Sequence, residues 1–277
     1  MDVGDDYTCL LIETEGRAVW ATIDNPPINL ITRELLIDLL RFSERVAADP
    51  DSTVVVLQSA NPDFFIAHFD VTLLQQEPGE PPPRPTELNA FDEMIERFRT
   101  MPKVTICKIA GRIGGGGSEL AMGCDMRFAA LGHAVMNQME VPIGIIPGGG
   151  GTQRLPGLVG HNRAAELILG GLDLDAGTGE AWGYFNRALP ADELDAHVDG
   201  LARRIASFEP DAVRAGKAAL LGVQPDPTAG LIEETHLFNG LLAGSPAQQR
   251  MQRFLELGGQ TREVELDIER IAGEANQ

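Results

Sequence analysis

The chain reads as an α/β protein, a mostly parallel sheet followed by a helical C-terminal part. Three observations predict this. Strand-like and helix-like segments alternate through the first 136 residues, the pattern that builds parallel sheets. Residues 53–57 are a near-continuous valine run, as expected where a sheet is covered on both faces. After Gly151 the character becomes almost entirely helical.

The elements follow in order. Residues 7–14 and 17–24 alternate and carry β-branched and aromatic side chains, predicting a hairpin that turns at Glu15-Gly16. Asn25-Pro26-Pro27 breaks that pattern. Residues 32–48 space Leu35, Leu36, Leu39, Leu40 and Val46 as a helix does and stop at Asp49-Pro50. The valine strand and a short apolar segment, residues 64–70, come next. Residues 75–85, rich in proline and glutamate, predict a loop excursion. Residues 88–101 read as helix, 104–109 as strand, 118–123 as helix, and 126–130 and 134–136 as strands. Helices are then expected over 162–169, 176–182, 191–208, 211–221, 229–242 and 246–257, with an amphipathic tail over 263–275.

With 277 residues, 43% hydrophobic and 23% charged, the chain can bury a sizeable core. Its formal net charge of -19 excludes duplex nucleic acid as a natural partner, since phosphates demand a basic surface. The three cysteines, Cys9, Cys107 and Cys124, lie in apolar runs without CxxC or Cys/His spacing, as buried thiols in a reducing compartment do. The start, Met1-Asp2-Val3-Gly4-Asp5-Asp6, lacks the basic-then-apolar order of a signal peptide, and no apolar run reaches membrane-spanning length. The expectation is a soluble cytoplasmic protein with no membrane partner.

The segment richest in chemistry is Gly114-Gly115-Gly116-Gly117-Ser118-Glu119-Leu120. Glycines let backbone N–H groups approach a ligand closely, and a helix start leaves its first N–H groups free. Glu119 follows on the same helix face as Gly116. A P-loop would need Lys-Ser/Thr after its last glycine, and a dinucleotide site GxGxxG directly after a first strand; neither spacing is met. Glu119 and Glu140 each sit among residues suited to burial, where a carboxylate is costly unless used or paired. Two inward carboxylates beside free N–H donors suit general acid–base work on a carbonyl compound; a purely structural role stays open on this reading.

The stretch Ala110-Gly111-Arg112-Ile113-Gly114-Gly115-Gly116-Gly117-Ser118-Glu119-Leu120-Ala121-Met122-Gly123-Cys124-Asp125 resembles the signature of the enoyl-CoA hydratase/isomerase (crotonase) superfamily. Asn25-Pro26-Pro27-Ile28-Asn29, Phe65-Ile66-Ala67-His68-Phe69-Asp70 and the run from Glu140 to Leu155 agree in order, so the resemblance spans roughly residues 7–257. It implies the crotonase (ClpP-like) fold: a β-β-α spiral core over residues 1–200 carrying a CoA thioester site, then a helical trimerisation region over 201–277. It implies an acyl-CoA thioester as substrate, with coenzyme A as part of it, no tightly bound cofactor and no metal, in a homotrimer or homohexamer. By motif position the thioester oxygen would be bound by the amides of Phe69 and Gly116, and the two glutamates of the hydratases match Glu119 and Glu140. Ile28, Ala67, His68, Asp70 and Gly115 are the residues expected around substrate and CoA. Glu119, near a helix start, is expected to stay ionised as the base and Glu140, in apolar surroundings, to be the acid.

Two departures stand out. His68 occupies a position that is usually glycine in the family, and is expected to be a packed, hydrogen-bonded histidine. Phe254-Leu255-Glu256-Leu257-Gly258-Gly259 replaces a basic stretch, leaving Arg253 or Arg262 to meet CoA phosphate. His133, His161, His197 and His236 lack metal-ligand spacing and read as structural, and Arg154 as an ion-pair partner. The retained carboxylate pair favours hydration of a 2-enoyl-CoA. Isomerisation, decarboxylation or C–C hydrolysis of another acyl-CoA is the alternative, and a non-catalytic acyl-CoA-binding role is disfavoured.

Overall fold

The computed structural model describes residues 7–274 and 276. The acidic start, residues 1–6, and Ala275 at the end of the expected tail lie outside the described residues. The expected hairpin is β1 (Leu10–Glu15) paired antiparallel with β2 (Ala18–Ile23). Helix α1 (Arg33–Ala48) is capped by Thr32, whose side chain accepts from the Leu35 N–H. The chain then lays down β3 (Val54–Ser59), the short β4 (Phe64–Ile66), a single 3-10 turn (Val71–Leu73) and α2 (Ala90–Thr100). Asn89 caps α2 by accepting from the N–H groups of Phe91 and Asp92.

The same sequence of a long strand, a short strand and a helix repeats. It recurs as β5 (Val104–Ile109), β6 (Arg112–Gly114) and α3 (Gly115–Met122), then as β7 (Met126–Ala130), β8 (Val135–Asn137) and α4 (Gly151–Val159). After α5 (His161–Gly170), β9 (Leu174–Asp175), α6 (Ala176–Trp182) and β10 (Arg187–Leu189), the chain is helical: α7 (Ala191–Ala206), α8 (Pro210–Leu221), α9 (Thr228–Leu242), α10 (Ser245–Glu256), α11 (Arg262–Glu265) and α12 (Ile268–Glu274). The long strands form a six-stranded sheet in the order β1-β2-β3-β5-β7-β10, and the short ones a second sheet, β4-β6-β8-β9. Apart from β1/β2 and β8/β9 the pairings are parallel. This is the β-β-α spiral expected of the resemblance.

Side-chain alternation explains the valine run. Val54 and Val56 face one side with Trp20, Ile106 and Phe128, where Leu194, Val198 and Ala202 of α7 cover them. Val55 and Leu57 face the other, against Leu35, Leu39, Phe42 and Val46 of α1 and Met94, Ile95 and Phe98 of α2. Full burial of such side chains is worth about 1.5–3 kcal/mol each. The expected division at residue 200 falls inside α7, whose apolar residues cover one face of the large sheet. The later helices turn back: Ala247, Met251 and Phe254 of α10 with Ile268 and Ile271 of α12 pack on Val71, Met139, Ile143 and Ile145.

Two elements differ from expectation in ways that matter for the site. Helix α3 starts at Gly115, three residues before Ser118, although glycine is a poor helix former. Close packing overrides propensity: a Cβ on Gly117 would stand 2.6 Å from the Ile66 Cβ, and one on Gly114 would stand 2.4 Å from the Ala67 carbonyl oxygen. Helix α4 has no counterpart in the expected helices, because its start is the second glycine run and Pro156 lies within it. No helix among the described residues is long and apolar enough to cross a membrane.

Candidate active site

A cavity of about 290 Å³ lies where the glycine end of α3, the loop after β4 and the returning C-terminal helices meet. His68, Phe69, Gly116, Glu119 and Glu140 all reach its wall, together with apolar groups such as Leu74, Phe91, Ile143 and Phe238. Gly116 is the second residue of α3, so its N–H precedes the first i→i−4 bond of the helix. Phe69 bridges to Ile31 in parallel fashion: His68 C=O accepts from Ile31 N–H at 2.9 Å, and Asp70 N–H donates to Ile31 C=O at 3.2 Å. That bridge uses one edge of the backbone and leaves the Phe69 N–H on the other.

Glu119 is buried, and its support differs from the expected one. Because α3 begins at Gly115, Glu119 lies in the second turn, beyond the helix start. Its Oε1 instead accepts from the N–H groups of Gly149 at 2.7 Å and Gly151 at 2.9 Å, at the start of α4. The second glycine run thus turns its amides on the protein's own carboxylates. Gly150 N–H at 2.5 Å and Thr152 N–H at 2.8 Å serve Glu234 in the same way. Gly150 has φ +98, and a Cβ on Gly149 would meet Phe91 at 2.5 Å.

Four carboxyls gather here: Glu119, Glu140, Asp92 and Glu234. Burial raises Glu119 above its ordinary 4.5, while the two amides and Arg154 pull it back. Burial pushes Glu140 well above the carboxylate range, and the charge of Glu119 adds to this. Burial and Glu119 likewise raise Asp92 to about 7 and Glu234 to about 8. Two amide donors and nearby Arg154 favour the anion at Glu119, while burial and the charge of Glu119 push Glu140 toward its protonated form. Glu140 Oε2 is buried without a partner among the described residues, so that oxygen is uncommitted.

Gly115, with φ +44, is wedged between two of the expected residues: a Cβ there would stand 2.9 Å from Glu140 Oε1 and 3.1 Å from His68 Cβ. His68 is packed and hydrogen-bonded, as expected, yet also forms part of the cavity wall. Gly115 does not itself line that wall, and three other expected residues are not brought to it. Ile28 and Ala67 are buried against Phe64, because the backbone link from Ala67 N–H to Ile28 C=O turns both side chains into a small core. Asp70 caps the 3-10 turn by accepting from Thr72 N–H. Arg154 is an ion-pair partner, 2.7 Å from Glu96. Arg262 is engaged by Asp63, and Arg253 lies 3.7 Å from Glu256. His197 packs on Phe128, ring centroids 5.1 Å apart. Asp92 and Glu234 were not foreseen; both look like ordinary helix acids in sequence, and only an inward face at Asp92, with Ile95 and Phe98 at helical spacing, hints at burial.

The chain is similar to known proteins over most of its length. Residues 13–261 match the family described as enoyl-CoA hydratase/isomerase. A crotonyl-CoA hydratase of Syntrophomonas wolfei is 31% identical over 253 residues, covering 90% of this chain and 96% of that one. A short-chain-enoyl-CoA hydratase of Clostridium acetobutylicum is 28% identical over 258 residues, covering 89% and 94%. A crystal structure from Streptomyces avermitilis, of a protein named by inference as an enoyl-CoA hydratase, superposes with a TM-score of 0.88 at 37% identity, covering 98% of this chain and 99% of that one.

Proposed function

This chain belongs to the enoyl-CoA hydratase/isomerase family, and from that premise we propose that it adds water across the double bond of a 2-enoyl-CoA. One observation carries the reading: one cavity holds Glu119, whose carboxyl accepts two backbone amides, beside Glu140, whose buried Oε2 has no partner among the described residues and whose pKa burial raises. Hydration needs that pair. Glu119 takes a proton from water as the oxygen bonds to C3. The π electrons move toward the thioester, and the enolate oxygen is met by the N–H groups of Phe69 and Gly116. Glu140 then delivers its proton to C2. Loss of one such oxyanion donor costs about 3–4 kcal/mol in comparable sites. The roles of these residues follow from their burial and partners, and from the hydratases they resemble.

The cavity volume of about 290 Å³ is at the lower end of the roughly 300–1,000 Å³ typical of ligand pockets, enough for an acyl group while the rest of CoA stays outside. Hydration neither oxidises nor reduces its substrate, so the reaction needs no cofactor beyond the CoA already attached. A homotrimer or homohexamer belongs to the same reading. Leu237 and Leu241, one turn apart on α9, are 51% and 43% exposed, and an apolar stripe of this kind suits a subunit contact. The test is Glu119→Gln and Glu140→Gln assayed with a short 2-enoyl-CoA. Each should lower turnover by about 10²–10⁴-fold with circular dichroism unchanged; near-normal rates in both variants would end the two-carboxyl mechanism.

A further inference from the structure

The loop that carries the Phe69 amide is tied to a distant part of the chain. His68 is 2% exposed and Glu265, at the end of α11, is also 2% exposed. The imidazole Nε2 lies 3.0 Å from Glu265 Oε1, and its Nδ1 lies 2.8 Å from the Phe69 carbonyl oxygen. A carbonyl only accepts, so Nδ1 carries a hydrogen. Glu265 Oε1 already accepts from the Gln260 N–H at 2.7 Å, which suits a carboxylate, so Nε2 donates as well. The ring is then an imidazolium, paired with a buried carboxylate. Gln260, held at φ +68, reaches the same loop again: its Oε1 accepts from the Val71 N–H at 2.7 Å. The Phe254 ring packs edge-on against His68 at 6.1 Å.

These links surround one peptide group. The His68 carbonyl is fixed by Ile31, the Phe69 carbonyl by the His68 ring, and the Val71 amide by Gln260. The Phe69 N–H has no hydrogen-bond partner among the described residues. We infer that the buried His68–Glu265 pair, together with Gln260, is a positioning clamp through which residues 260–265 aim the Phe69 amide at the acyl oxygen. The inference rests on the hydratase reading above. It assigns a purpose to histidine at a position where the family resemblance leads one to expect glycine: the loop gains a rigid external tie in place of a compact turn. A misaimed donor acts chiefly in the transition state, where the oxygen carries charge.

The experiment uses the full chain, a short 2-enoyl-CoA for kinetics, and butyryl-CoA as an unreactive ligand whose thioester carbonyl stretch is read by infrared difference spectroscopy. Glu265→Ala should lower kcat by about 10-fold or more with KM changed less than about two-fold, and the bound carbonyl stretch should move back toward its value in water. That variant leaves His68 buried and unpaired, so the double variant His68→Gly with Glu265→Ala is the decisive one. Removing both partners leaves no unpaired buried charge, at the cost of a cavity, yet the clamp is still absent, so kcat and the carbonyl shift should stay impaired in protein that circular dichroism shows to be folded. Glu265→Gln, which keeps an acceptor for Gln260 but no charge, should fall between wild type and Glu265→Ala. Wild-type kcat and carbonyl shift in the double variant would overturn the clamp while leaving the hydratase reading intact. A wild-type protein that neither hydrates the enoyl-CoA nor binds butyryl-CoA would overturn both.

Discussion

Replacing Asp92 by asparagine tests the electrostatics of the site without touching the proposed acid or base. The Asp92 carboxyl is fully buried on α2, and burial together with Glu119 raises it from 3.8 to about 7. An acid raised on folding stabilises the folded state fully below its unfolded value, and that contribution is lost as pH climbs through the folded one. For Asp92 the loss therefore accrues between about pH 4 and pH 7. At about 1.4 kcal/mol per pH unit, a rise from 3.8 to about 7 amounts to roughly 4 kcal/mol at pH 8. Asparagine cannot ionise and escapes this loss. It also keeps an oxygen for the Asn89 and Thr235 donors, now 2.7 and 3.3 Å from Oδ2. Its amide nitrogen would replace Oδ1, which is buried without a partner among the described residues, at a cost of about 1–3 kcal/mol. The variant should thus be slightly less stable than wild type at pH 4 and more stable at pH 8. Urea midpoints at fixed protein concentration, taken every half unit from pH 4 to 8, would show the two curves crossing. A variant less stable by the same margin at every pH would refute the reasoning, since it would mean that Asp92 is ionised throughout.

Two further outcomes follow from the same geometry. Gly115→Ala places a methyl 2.9 Å from Glu140 Oε1 at a backbone φ of +44, which costs about 1–2 kcal/mol of stability and displaces the proposed acid. Turnover should fall at least about 10-fold, and the same change made on top of Glu140→Gln should cost little more, a non-additivity that a double-mutant cycle measures. Separately, burial opposes the charge on His68, but Glu265, the Phe69 carbonyl and Asp70 raise its pKa above 6.5, with Glu140 also close across Gly115. Its contribution to stability is complete below 6.5 and is lost as pH rises through the raised value. The urea midpoint of the wild type relative to that of the His68→Gly, Glu265→Ala double variant should fall as pH rises above 6.5, and a difference constant with pH would refute this.

Local signals made much of this legible. The apolar spacing of the helix over 32–48, the valine strand and the helix over 191–208 follow periodicities of a few residues, and sequence carries those directly. The Gly-Gly-Gly-Gly-Ser-Glu run and Glu140 were legible because glycines at a helix start and carboxyls among apolar residues are locally anomalous. What was hidden depends on partners far along the chain. Helix α4 begins in a run that local propensity reads as a breaker; its amides are satisfied by Glu119 and Glu234, 32 and 82 residues from the amides they accept. Glu265 reads as one more acid in an amphipathic tail, and only the fold brings it to His68, 197 residues away. Ile28 and Ala67 failed to reach the cavity because motif position fixes the chain path and leaves the outward or inward turn of a side chain to the neighbours it meets.

The hidden helix also resolves how a chain with net charge -19 can run acid and base chemistry in one apolar cavity. Four buried carboxyls cannot all ionise, so the question is which one does. Burial opposes the charge at Glu119, but Arg154 and the amides of Gly149 and Gly151 favour it there. Glu234 receives comparable donors from Gly150 and Thr152 but stands in the field of Glu119, and is pushed to about 8. On the proposed reading the start of α4 supports Glu119 as the base, and burial together with the charge of Glu119 keeps Glu140 protonated as the acid.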